Sequence, residues 1–175
     1  MLRDKVVLVD INDNELKEEN KTIAHSKPML HRAFSIYLYN DKKQILIQKR
    51  ALNKYHSPGL WANACCSHPR MGENIKESAI ERLKDEVGIY ADINEIFSFI
   101  YLSKYNENLF EYEYDHVFIG KYDGEIILNK EEASETKWIS IEDLESDLVN
   151  NPNKYATWFI ISAPRVIEYI KKGLK

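Results

Sequence analysis

Residues 73–89 read ENIKESAIERLKDEVGI. Ile75, Ala79, Leu83 and Val87 recur at helical spacing and Gly88 stands at a natural C-terminal stop, so the pattern predicts an amphipathic helix. At about 100° per residue, Glu86 points between Ile75 and Leu83, toward the core, with Arg82 one turn earlier beside it. A buried carboxylate is costly without compensation, so Glu86 calls for Arg82, a metal ion or both. A purely structural Arg82–Glu86 pair at the edge of the apolar stripe accounts for the periodicity equally well.

Upstream, VVLVD (6–10) reads as a strand closed by the turn-prone NDN. In LHRAFSIYLY (30–39), Leu30, Phe34, Ile36 and Leu38 alternate with His31, Ala33, Ser35 and Tyr37, which predicts a strand with one small, polar face. NDKKQ then turns the chain into ILIQKR, the second arm of a hairpin. Residues 51–72 hold Pro58, Gly59, Pro69 and Gly72 and read as a long irregular loop, a feature that is usually functional in a compact domain. Downstream, strands are expected at 94–102, 110–119, 124–128 and 136–140, a helix from Ser140, and a last helix over 156–172. Mixed strands with a few helices indicate an α+β or α/β domain, and with no repeat, linker or low-complexity tract, residues 1–175 are expected to form one unit.

The composition, 44% hydrophobic and 30% charged, is that of a soluble protein with a packed core. A net charge of −4 argues against a broad nucleic-acid surface, and no run approaches the roughly 18 apolar residues of a membrane span. The charged start MLRDKVVLVD does not read as a signal peptide, so a cytoplasmic location is expected, with the chain a monomer or weak dimer. Cys65 and Cys66 are adjacent and are the only cysteines, so both should be free thiols in a reducing compartment.

Three groups of residues suggest chemistry. In FEYEYDHVF (110–118), alternation puts Glu111, Glu113 and Asp115 on one face, about 7 Å apart, where they must be solvated or neutralised by a cation. The solvated outer face of an antiparallel strand remains open. His25, His31 and His68 lie in or beside presumed loops and strand ends; with such carboxylates they suit a divalent metal such as Zn²⁺, Mn²⁺ or Mg²⁺ in a mixed N/O shell. WANACCSHP (61–69) places Cys66 two residues before His68; without a CxxC pair, a structural zinc site is not supported.

The runs HSKPMLHRAFSIYLYN, KRALNKYHSPGLWANACCSHP, GENIKESAIERLKDEVGI and EYEYDHVF, in order over about residues 17–160, resemble type I isopentenyl-diphosphate isomerases of the Nudix superfamily. The general Nudix box G-x5-E-x7-R-E-U-x-E-E-x-G-U aligns from Ser67 to Ile89 and is degraded. Glu73, Leu83, Glu86, Gly88 and Ile89 fit, and Asp85 fits conservatively. Ser67 replaces the first glycine, Glu81 the arginine and Arg82 the following glutamate. Loss of that glutamate undermines diphosphate hydrolysis, and the isomerases depart from the box in the same way.

The resemblance implies an α/β/α sandwich around a mixed β-sheet and the interconversion of isopentenyl and dimethylallyl diphosphate. It implies Cys66 as acid/base on one face of the substrate double bond and Glu113, helped by Tyr101, on the other. His25, His31, His68, Glu111 and Glu113 would hold one divalent metal (Zn²⁺, Mn²⁺ or Mg²⁺). Glu86 with the Cys66 carbonyl would hold a Mg²⁺ that touches the diphosphate. Lys21, Arg50, Lys54 and Arg82 would clamp the diphosphate, and Trp158 would face the hydrocarbon. Only five residues separate His25 from His31, where the best-known bacterial relatives have six.

Moving an unactivated double bond requires a proton added to one carbon and another removed elsewhere, through a carbocation-like state. Proximity to metal or basic residues can move a thiol of ordinary pKa near ~8.5 toward the working range, and the sequence leaves the value for Cys66 open. An indole face adds about 2 kcal/mol toward a desolvated cation. By composition and pattern alone Trp158 also reads as core, Lys21, Arg50 and Lys54 as surface cations, and Cys65 as a small buried thiol. A Nudix hydrolase and a non-catalytic, metal-stabilised binding module are the competing readings.

Overall fold

The computed structural model describes residues 4–54 and 56–173. Strands β1 (Lys5–Val9) and β2 (Glu15–Asn20) and the short helix α1 (Lys21–Ser26) precede the hairpin β3 (His31–Tyr39) and β4 (Gln44–Arg50). Two short strands, β5 (Trp61–Asn63) and β6 (Cys65–Ser67), lead to helix α2 (Ile75–Val87), then β7 (Ile93–Asn106), β8 (Leu109–Lys121) and β9 (Ala133–Ser140). Helices α3 (Ile141–Asn150) and α4 (Thr157–Gly173) complete the order.

Strand β3 organises the sheet. It runs parallel to β8 from His31↔Glu113 to Tyr39↔Lys121 and antiparallel to β6 through Phe34↔Ser67, Ser35↔Cys66 and Ile36↔Cys65. Because side chains alternate, Phe34, Ile36 and Leu38 pack with Ala79, Leu83 and Val87 of α2 on one face. Tyr37 packs on the other with Phe159, Val166 and Ile170 of α4, and Leu144 of α3 joins them. The result is an α/β/α sandwich around a mixed sheet, with both faces of β3 buried. Tyr37 Oη and Ser162 Oγ, 2.6 Å apart, satisfy each other inside the second core.

Helix α2 begins and ends where its residues dictate. The Asn74 side chain accepts from Glu77 N at 3.1 Å, a cap contributing about 1 kcal/mol. Gly88 closes the helix at φ 68°, and a Cβ there would lie 2.7 Å from Ile127 Cβ, so only glycine fits.

One unassigned segment is filled and two expectations are corrected. Residues 15–26 carry β2 and α1, which the charged run ELKEENK conceals. The segment 51–72 is not wholly irregular, since β5 pairs with β4 and β6 with β3, which makes Cys66 a strand residue. Residues 124–128 form no strand; Ile127 N and Asn129 N instead donate to Val87 O and Glu86 O, covering the end of α2. Among the described residues no helix is long and apolar enough to cross a membrane.

Candidate active site

Glu113 sits at the centre of the site because the sheet register puts it there. It faces His31 across the parallel β3–β8 pair and Tyr101 across the antiparallel β7–β8 pair. His68 enters from the end of β6, and His25 from the last turn of α1, which packs on β8. Glu111, Glu113 and Asp115 are all buried, so the solvated face that alternation allowed is excluded.

One ligand atom from each of His25, His31, His68, Glu111 and Glu113 lies within 4.8 Å of every other. His25 Nε2 is 3.1 Å from Glu111 Oε1, while His31 Nε2 and His68 Nε2 are 3.6 and 2.9 Å from Glu113 Oε1. His25 Nδ1 and His31 Nδ1 lie 2.6 and 2.8 Å from the carbonyls of Lys21 and Met29. Carbonyls only accept, so both Nδ1 atoms carry hydrogen, and each Nε2 is left facing a carboxylate oxygen. Lone pairs facing anions repel unless a proton or cation lies between them, and N and O donors in this number suit a divalent metal. His31 Nε2 and Glu111 Oε1 are buried and have no hydrogen bond of good geometry, as such a role requires. The five-residue spacing between His25 and His31 therefore does not keep His25 out of the cluster.

The two groups read as proton carriers are shifted in opposite directions. Burial alone would lift the Glu113 carboxyl, but the imidazoles of His31 and His68 beside it hold it well below the usual range. Tyr101 Oη donates to Glu113 Oε2 at 2.6 Å. Burial pushes the Cys66 thiol far up; Arg50 opposes this, and Glu86, Asp115 and Glu113 add to it. Of the influences the sequence left open for this thiol, desolvation and the neighbouring carboxylates outweigh the cation Arg50. Cys65 is fully buried and also a free thiol.

Cys66, Glu113, Tyr101 and Trp158 line one cavity of about 490 Å³ together with Lys21, Arg50, Lys54, Arg82 and Glu86. Glu86 is 3% exposed; its Oε1 accepts from Arg82 Nη2 at 2.6 Å and its Oε2 from Gln48 Nε2 at 3.3 Å. Burial raises the Glu86 carboxyl against the pull of Arg82. The Arg50 guanidinium stacks 5.1 Å above the Trp158 ring, and Trp158, 3% exposed, also belongs to the α4 core, so lining and packing are not alternatives here.

Other residues at the site gave no usable sequence signal. His56 Nε2 lies 3.0 Å from Glu111 Oε1, and its carbonyl accepts from Arg50 Nη2 at 3.3 Å. Glu132 bridges Lys54 and Arg82, the latter at 3.2 Å, from a loop whose KEEASE reads as plain surface. Ser35 donates to the buried Asp115 at 2.8 Å beneath the cavity.

A NUDIX domain family model matches residues 29–159. The chain is 47% identical over 154 residues to isopentenyl-diphosphate Delta-isomerase 2 of Photorhabdus laumondii, covering 88% of this chain and 87% of that protein. It is 41% identical over 166 residues to isopentenyl-diphosphate Delta-isomerase 2 of Aromatoleum aromaticum, covering 95% and 88%. A crystal structure of a Deinococcus radiodurans protein superimposes with a TM-score of 0.70 at 19% identity, over 84% of this chain and 90% of that one, which concerns the fold alone. Matched by the domain model over its centre and by these relatives nearly end to end, the chain belongs to the isopentenyl-diphosphate Delta-isomerase family of NUDIX-domain proteins.

Proposed function

We propose that this chain, working as one domain, interconverts isopentenyl and dimethylallyl diphosphate by adding a proton to one carbon of the C=C–C unit and removing one from another. The observation that carries the reading is that the thiol of Cys66 and the carboxyl of Glu113 line one cavity together with four cationic side chains, the thiol shifted up and the carboxyl down. An allylic shift needs one group that holds a proton and one that lacks it. In one direction Cys66 gives its proton to the alkene and Glu113, with Tyr101 bonded to it, takes the proton lost; the reverse reaction exchanges the roles. Each turnover leaves the two protonation states swapped, and proton exchange with solvent resets them.

The electron-deficient carbon formed between the two transfers is flanked by the Trp158 ring face, which contributes about 2 kcal/mol when desolvated. Fixed carboxylate charge and exclusion of water supply the rest. Lys21, Arg50, Lys54 and Arg82 would grip the diphosphate through charge-assisted hydrogen bonds.

His25, His31, His68, Glu111 and Glu113 would hold a divalent ion, Zn²⁺, Mn²⁺ or Mg²⁺, and Glu86 with the Cys66 carbonyl a Mg²⁺ shared with the diphosphate. Bound there, such ions neutralise carboxylates and set the protonation of their ligands. In place of the acidic residue of a hydrolytic box, Arg82 presents a guanidinium paired with Glu86, which supports isomerisation over hydrolysis. The free thiols suit the reducing cytoplasm, and the reading needs no partner beyond the prenyl diphosphate, with the chain a monomer or weak dimer.

Incubation with isopentenyl diphosphate and Mg²⁺ tests the proposal. Accumulation of dimethylallyl diphosphate without phosphate release is expected; phosphate release without the allylic product would reverse the assignment toward a hydrolase.

A further inference from the structure

We infer that Asn63 is a positioning residue that fixes the thiol of Cys66 and the indole of Trp158 relative to each other, a role that rests on the isomerase reading above. Asn63 closes β5 and is fully buried. Its Nδ2 donates to Ile36 O at 3.2 Å and to Cys65 O at 2.6 Å, and its Oδ1 accepts from Trp158 Nε1 at 3.1 Å and from Cys66 Sγ at 3.7 Å.

The amide can adopt only this orientation. Two carbonyls can only accept and an indole N–H can only donate, so the amide nitrogen must face the former and the oxygen the latter. All of its hydrogen-bonding capacity is then in use at a site without solvent. One rigid group, clamped to the backbone of β3 and β6, thereby sets two side chains that are 92 residues apart in sequence. The sulfur is held at one place and the indole is held from rotating about its own bonds. The chain supports the arrangement, since Ala156 N donates to Trp61 O at 2.9 Å and seats the start of α4 against β5.

The placement of the sulfur and of the ring face matters at the transition state more than in substrate binding, so loss of the amide should appear in kcat. Misplacement of about 1 Å can cost roughly 100-fold. Asn63→Ala is therefore expected to lower kcat about 30- to 100-fold, with KM for isopentenyl diphosphate within about threefold of the parent. Asn63→Thr, which keeps one hydroxyl, substitutes if the alanine variant fails to fold.

Trp158→Phe keeps an aromatic ring but loses the linking donor along with part of the indole face, so its cost and that of Asn63→Ala should be less than multiplicative in the double variant. In the ¹⁵N–¹H spectrum the Trp158 indole peak, identified by its loss in Trp158→Phe, should move upfield in the Asn63 variant. Multiplicative losses, a KM that rises in step with the fall in kcat, or an unmoved indole peak would overturn the inference. An active parent beside an equally active Asn63→Ala rejects this role alone, whereas an inactive parent rejects the isomerase reading and this role with it.

Discussion

Tyr101 donates its phenolic hydrogen to Glu113 Oε2 over 2.6 Å, and the two residues face each other directly in the β7–β8 register. The bond leaves Glu113 Oε1 to the histidines, with His68 Nε2 at 2.9 Å. A hydrogen bond to a charged group contributes about 1.5–3 kcal/mol, so Tyr101→Phe should lower kcat at least roughly tenfold. Steady-state turnover, with metal content measured alongside, checks this; an unchanged rate would remove Tyr101 from the site.

Glu86 is buried and pairs with the half-buried Arg82 on successive turns of α2. Removing the cation alone strands a carboxylate, so Arg82→Leu should destabilise the fold by about 3–5 kcal/mol. Adding Glu86→Met should restore most of the loss, because a buried pair replaced as a whole by apolar groups is often close to neutral. Urea unfolding midpoints of the single and double variants give the comparison.

The His/Glu cluster predicts metal-dependent stability. A ligand at 100 times its dissociation constant stabilises by about 2.7 kcal/mol, and each kcal/mol moves Tm by about 2–4 °C in a chain of this size. Chelation should therefore lower Tm by about 5 °C or more, and readdition of Zn²⁺ or Mn²⁺ should restore it. His31→Gln should bind less metal and respond less to chelator, as read by elemental analysis and calorimetry.

Glu132 supplies a pH signature. Burial would raise its carboxyl, but Lys54 and Arg82 outweigh that and hold it below its ordinary value of 4.5. A carboxyl depressed in the folded state contributes stability that is complete above the unfolded pKa and lost as pH falls from there through the folded one. Stability should thus decline below about pH 4.5 more steeply in the parent than in Glu132→Gln, measured by urea midpoints at successive pH values.

Helical periodicity exposed α2 and the inward face of Glu86, because a carboxylate on an apolar stripe stands out in one dimension. Alternation identified β3 and β8, and the structure adds that both faces of β3 are covered, a consequence of parallel pairing that no local pattern carries. Strand β2 was concealed because its edge position leaves nearly all of ELKEEN in solvent and removes the apolar alternation. Residues 124–128 carry a strand-like pattern for another reason: Ile126 and Leu128 pack on the α2 core without entering the sheet.

At the site, the histidines and the carboxylates of β8 were legible by residue type. Their convergence depends on the register His31↔Glu113, which is set by pairing across 82 residues. Glu132 and His56 were illegible because a lone glutamate in an acidic run and a lone histidine in a loop look like surface; only the folded chain shows them beside Arg82 and Glu111. The pKa of Cys66 was open for the same reason, since desolvation and the carboxylates around it are set only by the fold.

The central claim, proton exchange between Cys66 and Glu113 across a bound alkene, is tested most directly by incubating isopentenyl diphosphate and Mg²⁺ with the protein in D₂O and following the products by NMR. The account predicts dimethylallyl diphosphate carrying deuterium in the parent and none in folded, metal-loaded Cys66→Ala. Deuterated allylic product from Cys66→Ala at the parental rate would contradict it, as would a parent that yields none.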